Sequence, residues 1–227
     1  MIAVVRSELY RLSTVRSSAL SLTVFTPAGV VFDLGNVLID WQPALAIAAG
    51  VGAVEAQRFL EADDFDFMAW NHLQDSGRRW ADGVAEVRRT HPHWAAHADA
   101  YLEHFPASLS EVPGTTQVVR ELHDGGVPLL GLTNWSDELY YPYAVPKFEV
   151  LQMLDDVVVS GEVKAAKPDP RAYEIVAERS GLPLDRLVFV DDKQLNVDAA
   201  AALGMDAIVF TDAASLRTEL RARGLPV

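Results

Sequence analysis

Cysteine is absent from all 227 residues. That excludes a disulfide framework, a thiolate nucleophile and thiolate metal ligands, and it sets a reducing cytoplasm as the expected compartment. Basic charge is scarce too: 19 Lys and Arg stand against 32 Asp and Glu, for a net charge of −13. With no basic run, the chain offers no electrostatic footprint for nucleic acid or an anionic membrane, and neither is expected as a partner. No apolar stretch reaches the roughly 18 residues of a membrane span. What remains is a half-hydrophobic chain long enough for one α/β core and one small insertion.

The stretch Val30-Val31-Phe32-Asp33-Leu34-Gly35-Asn36 carries the strongest local signal. A run of β-branched and aromatic residues reads as a buried strand, and it stops abruptly at a carboxylate, a glycine and an asparagine. Asp33 therefore falls at the carboxyl end of a strand, the edge where open α/β sheets bind ligands. Three more strand ends follow the same design. Pro128 to Leu132 runs into Thr133-Asn134, and Val157 to Ser160 is followed by Lys164 and then by Lys167-Pro168-Asp169-Pro170. Leu187 to Val190 runs into Asp191-Asp192.

These four motifs, in this order, resemble the haloacid dehalogenase-like hydrolase superfamily over roughly residues 28 to 212. The Phe-Asp-Leu-Gly-Asn-Val stretch with Asp191-Asp192 is most similar to its bacterial sugar-phosphate phosphatases with a small helical cap. The resemblance implies a Rossmann-like, doubly wound parallel sheet with an all-helical cap inserted after the first core strand. It implies Asp33 as nucleophile, with Thr133 and Lys167 as its catalytic partners, and Asn36, Thr133, Asn134 and Lys167 as phosphate-binding residues. It further implies Mg²⁺ held by Asp33, the Gly35 carbonyl, Asp191 and Asp192, with Asn196 orienting a ligand. The substrate expected is a small phosphorylated metabolite, a sugar phosphate first, and the working unit a monomer or homodimer.

The domain boundaries follow. Residues 1–27, with Arg6, Arg11 and Arg16 among many Ser and Thr, are expected as an extension that superficially resembles a transit peptide, with a short helix around Ser7 to Leu12. The core is expected over 28–43 and 113–227. Between them, over 44–112, apolar residues recur only at helical spacing, in Ala44 to Ala49, Ala56 to Leu60, Phe65 to Leu73, Trp80 to Val87 and Trp94 to Phe105. Within this insertion Trp70, Asn71, His72, Asp75, Arg78 and Arg79 are candidates to face a substrate.

One residue departs from the phosphatase pattern. Gly35 stands where most phosphatases of the superfamily carry a second Asp that protonates the leaving oxygen. The acid is then missing or supplied elsewhere, by Asp40 or a cap residue. The departure leaves two other readings open: a metal-independent 2-haloacid dehalogenase, in which Asp33 attacks carbon and no acid is required, and a phosphate-binding protein on a hydrolase fold. The acidic pair Asp191-Asp192 argues for the metal, because adjacent hard carboxylates repel unless a cation such as Mg²⁺ sits between them.

Overall fold

A computed structural model describes residues 26–227. The expected extension and its short helix lie outside the described residues, save for Thr26 and Pro27. In chain order the elements are β1 (Gly29–Phe32), β2 (Ile39–Trp41), α1 (Pro43–Val51), α2 (Ala53–Leu60), α3 (Phe67–Asp75), α4 (Trp80–Thr90), α5 (Ala95–Glu103), β3 (Leu109–Glu111) and α6 (Thr115–Asp124). There follow β4 (Leu129–Thr133), α7 (Asp137–Leu139), β5 (Asp156–Val159), α8 (Ser160–Val163), α9 (Pro170–Ser180), β6 (Leu187–Asp191), α10 (Gln194–Ala202), β7 (Asp206–Val209) and α11 (Ala213–Ala222).

Five strands form one parallel sheet in the order β5-β4-β1-β6-β7. The chain builds outward from β1 through β4 to β5 and then returns to the other side of β1 with β6 and β7. The switch in direction lies at β1, so the carboxyl ends of β4, β1 and β6 are neighbours. The three central strands β1, β4 and β6 read as apolar runs because both faces are covered. Side chains alternate: Val30, Phe32, Val188 and Val190 join Val118, Val119, Leu122, Leu216 and Leu220 on one face. Val31, Leu130, Leu132 and Phe189 meet Ala172, Tyr173, Val176 and Ala200 on the other. This is the Rossmann-like architecture that the motif order implies.

The two helices that start at the working edge are set by local chemistry. In α9, Pro170 fixes the first helical position and the Asp169 side chain accepts from the Arg171 amide at 2.9 Å. Asp191 accepts from the Lys193 amide at 2.8 Å, just ahead of α10.

All five helices α1 to α5 stand between β2 and β3, as the helical spacing predicts. One feature escaped the sequence: β2 and β3 pair antiparallel, with Asp40 opposite Ser110. At three residues each they are too short to show a period of two. The ribbon carries the chain into and out of the helical insertion, and it places residues 109–111 beside 39–41. Packing is continuous across the junction: Trp70, Tyr101 and Phe105 of the insertion share one apolar cluster with Trp135 and Val190 of the core. Phe105 meets the Trp135 ring at 6.2 Å between centroids. Among the described residues, no helix is long and apolar enough to cross a membrane.

Candidate active site

Where β1, β4 and β6 end, their last residues meet across one cavity of about 200 Å³, lined among others by Asp33, Asn36, Thr133, Asn134, Lys167, Asp192 and Asn196. Asp33 is only 7% exposed, Lys167 3% and Asp191 fully buried. Lys167 Nζ lies 2.9 Å from Asp33 Oδ1 and 2.6 Å from Asp191 Oδ2, bridging two neighbouring strand ends. A pair this deeply buried tolerates its desolvation only with further hydrogen bonds, and these are present. Leu34 N–H donates to Asp33 Oδ1 at 2.7 Å. The Asn196 amide donates to both oxygens of Asp191, at 3.0 and 3.1 Å.

Asn134 holds Lys167 by its main chain: its Nδ2 donates to the Lys167 carbonyl and its Oδ1 accepts from the Lys167 N–H, both at 2.8 Å. Asn134 also lines the cavity, so its side chain ties the Lys167 main chain to the end of β4. Asn36, in the left-handed region at φ 58°, donates to Asp192 Oδ2 at 3.4 Å and accepts from the Trp41 amide at 3.2 Å, so it ties the acidic pair to β2.

Three carboxylates, those of Asp33, Asp191 and Asp192, bring ligand atoms within 4.8 Å of one another. Lys167 pairs with Asp33 and Asp191, and Lys193 and, more weakly, Lys167 attract Asp192. Burial pushes the Asp33 carboxyl up to about 7, with Lys167 pulling it down and Asp191 adding to the rise. Burial and then Asp191 also raise Asp192. Burial works against the Lys167 ammonium, but attraction to Asp33 and Asp191 prevails and its pKa is raised, so it stays charged. Negative charge is therefore in excess. Asp192 Oδ1 is buried and has no hydrogen-bond partner, an orphaned hard-oxygen atom of the kind a cation satisfies. Donor set, crowding and orphan oxygen together fit a divalent ion of the Mg²⁺ class.

The insertion contributes the opposite wall through Met68, Asn71, His72, Asp75, Tyr101 and Phe105. Of the candidates named from sequence, Asn71, His72 and Asp75 line the cavity. Trp70 does not. It is buried in the apolar cluster with its indole N–H donating to the Gly83 carbonyl at 3.1 Å. Arg78 and Arg79 are engaged by Glu86 and Glu138. Asp40, a candidate to replace the acid missing at Gly35, is absent from the lining: its Oδ2 accepts from Gln42 at 2.6 Å and from Ser110 at 3.2 Å on the ribbon. Pleating of β2 against β3 turns it toward its cross-strand partner.

Asp75 was legible only as a candidate. Its Oδ1 accepts from the Ser136 N–H at 3.1 Å and its Oδ2 from the Asn71 amide at 2.7 Å, while its carbonyl accepts from the Ser160 hydroxyl. Burial lifts its pKa to about 8, against smaller lowering by the Ser136 amide and Lys193. The ordinary value is 3.8, so between about pH 4 and pH 8 the folded protein holds a proton that the unfolded chain releases. Stability attributable to this group falls as pH rises through that window. The Asp75→Asn variant is expected to flatten this decline, read as a melting temperature that rises relative to wild type between pH 5 and pH 8; parallel melting curves across that range would refute it.

A haloacid dehalogenase-like hydrolase family model matches residues 27–204. Phosphoglycolate phosphatase of Shigella boydii is 28% identical over 208 residues, covering 81% of each chain. That of Pseudomonas fluorescens is 28% identical over 188 residues, covering 80% of this chain and 68% of the relative. Among solved structures, a family enzyme of Bacteroides thetaiotaomicron in a magnesium complex superposes with a TM-score of 0.64 at 22% identity, over 82% of this chain and 94% of that one. A dehalogenase in an intermediate complex superposes with a TM-score of 0.63 at 19% identity, over 80% and 84%. At those identities the structural likeness speaks for the fold, whereas the family match spans the four strand-end motifs as well. The chain belongs to the haloacid dehalogenase-like hydrolases.

Proposed function

We propose that the protein is a Mg²⁺-dependent phosphatase that hydrolyses a small phosphorylated metabolite, with a sugar phosphate favoured, through an aspartyl-phosphate on Asp33. The observation that carries the reading is the three-carboxylate cluster with its orphaned Asp192 oxygen. Displacement of halide from carbon needs one ionised nucleophile and gains nothing from two further carboxylates crowded beside it. Relatives named as phosphoglycolate phosphatases, and a neighbour solved with magnesium and inorganic phosphate, support the same chemistry.

Asp33, Asp191, Asp192 and the Gly35 carbonyl would hold Mg²⁺, which when bound offsets the charge of the transferring phosphoryl group. The chain's own residues do the rest. Asp33 attacks phosphorus while Leu34 N–H and Lys167 keep its carboxylate oriented. Thr133, at the tip of β4 and in the cavity lining, would donate its hydroxyl to a phosphoryl oxygen. Lys167 neutralises the approach of one anion to another, and Asn134 and Asn196 fix Lys167 and Asp191 so that neither relaxes away. Water then attacks the aspartyl-phosphate and releases inorganic phosphate.

Beyond the phosphate end the walls are the rings of Trp41, Tyr101, Phe105 and Trp135, interrupted by the polar groups of Asn71 and His72. Ring faces suit the C–H faces of a sugar, and isolated amides and imidazoles suit its hydroxyls. Lys193 is the one lysine or arginine of the lining besides Lys167, so a second anionic group on the substrate finds little to bind.

The test is hydrolysis of a phosphate-ester panel that includes sugar phosphates and phosphoglycolate, with and without Mg²⁺. Activity should vanish in chelator and return with Mg²⁺, and Asp192→Ala should raise the Mg²⁺ concentration for half-maximal rate by at least about tenfold. Full activity in excess chelator would overturn the metal requirement, and chloride release from a 2-haloacid under the same conditions would install the dehalogenase instead.

A further inference from the structure

With glycine at 35, no carboxyl stands two residues beyond the nucleophile to protonate the departing oxygen. The rest of the cavity has one that is free of the metal cluster. Its lining includes three carboxyl side chains: Asp33 and Asp192 belong to the cluster, and the third is Asp75, at the end of α3. The cavity is at the small end for a ligand site, so an ester whose phosphoryl group lies against Asp33 and Thr133 has its other half against the wall that Asp75 helps to form. Although Asp75 belongs to the inserted helices, it is fastened to the core. Ser136, the residue whose N–H it accepts, lies three positions past Thr133, and the Ser160 hydroxyl holds the Asp75 carbonyl. Its second oxygen meets Asn71, which the Tyr101 hydroxyl steadies at 3.2 Å.

We propose that Asp75 is the general acid and base of this hydrolase, taking over the work of the carboxyl that Gly35 lacks. In the first step an Asp33 oxygen bonds to phosphorus, the bond from phosphorus to the leaving oxygen breaks, and that oxygen takes the Asp75 carboxyl proton to depart as an alcohol. In the second, the Asp75 carboxylate removes a proton from water as its oxygen attacks phosphorus. The phosphorus bond to Asp33 then breaks, giving inorganic phosphate and restoring the acid. The role rests on the phosphatase reading above and adds to it the identity of the proton carrier.

The surroundings keep Asp75 in the form a donor needs. Burial is the main influence on it, holding its pKa up at about 8, so it carries its proton at neutral pH. The charged or titratable groups acting on it from packed elements are Lys193, ahead of α10, which works in the opposite sense, and Tyr101 of α5. Burial chiefly, and then Asp75, raises Tyr101 well above its usual range, so the phenol stays neutral. His72 is the other titratable group of that wall, but it is exposed and only 3.5 Å from the Ser76 hydroxyl.

Asp75→Asn can keep the fold, because its amide oxygen accepts from Ser136 and a flip of the Asn71 amide restores the second contact. With wild type and variant both loaded with Mg²⁺, glycerol phosphate and 4-nitrophenyl phosphate are compared. In single-turnover release of the alcohol, which reads the first step alone, the variant should lose about 100-fold on glycerol phosphate, whose alkoxide cannot leave unprotonated, and less than about threefold on the nitrophenyl ester, while its steady-state kcat falls on both because the base for water attack is gone. Equal losses on both esters in that first step with the fold intact, or no loss on either, would overturn the role, the second outcome pointing to His72. An independent readout is infrared difference spectroscopy at pH 7, where wild type should show a protonated-carboxyl band that Asp75→Asn removes. Absence of that band means Asp75 is ionised and cannot donate, whatever the kinetics. A wild-type enzyme that cleaves neither ester overturns the phosphatase reading and the role with it, whereas the two variant results overturn the role alone.

Discussion

Asp33→Asn is expected to lower turnover of any phosphate ester by at least about a thousandfold while leaving the fold and its melting temperature essentially intact. The geometry separates the two effects. Both polar contacts of the Asp33 side chain, from the Leu34 N–H at 2.7 Å and from Lys167 Nζ at 2.9 Å, converge on Oδ1. An asparagine with its carbonyl oxygen at that point accepts both, and its amide group replaces Oδ2. Lys167 keeps its second partner, Asp191 Oδ2, at 2.6 Å. The substitution also removes one of three crowded carboxylates, so no stability is lost on that account. What disappears is the anionic oxygen that forms the bond to phosphorus, and an amide cannot substitute for it. Rapid-quench labelling with a ³²P-phosphate ester should then give no acid-stable phosphoenzyme. Retention of more than a few per cent of wild-type turnover, or a labelled Asp33→Asn protein, would take the nucleophile role away from this residue.

Those parts of the fold that the sequence makes legible are the parts dictated by burial. β1, β4 and β6 are covered on both faces, so each is an apolar run that stops at a buried polar residue beside the cavity: Asp33, Thr133 and Asp191. Lys167 was distinguishable from Lys164 by its Pro-Asp-Pro context, which starts α9. In the structure Lys167 bridges two carboxylates, whereas Lys164 donates to the Gly77 and Gly161 carbonyls. The β2–β3 ribbon was not legible, because its partners are about seventy residues apart and too short for a periodic signal.

Ser160 was legible only as the end of a strand, although its hydroxyl accepts from the Trp135 N–H and donates to the Asp75 carbonyl. Such a bond between distant segments leaves no local pattern. The same holds for Asp75, whose contact with Ser136 spans sixty-one positions. In the aromatic stretch after Thr133, Trp135 faces the cavity, while Tyr143 packs against Phe105 at 5.9 Å.

The last expected result concerns the glycine two residues beyond Asp33. In an Asp75→Asn background, Gly35→Asp should recover kcat on glycerol phosphate by about 100-fold, because it puts a carboxyl into the cavity beside Asp33, within reach of the leaving oxygen. In the wild-type background the same substitution should change kcat by less than about threefold, since a second acid adds little once the leaving oxygen is protonated. Space permits it. A Cβ built at Gly35 meets no atom within 4 Å, and the residue does not require a left-handed backbone. Gly35 also lines the cavity beside Asp33 and Asn36, so a new side chain there enters the site rather than the core. The two substitutions should therefore be strongly non-additive, the mark of groups that perform one task by alternative routes. Additive effects, with no recovery in the double variant and no change in the nitrophenyl ester rate, would show that residues 35 and 75 act on different steps and that the proton comes from neither.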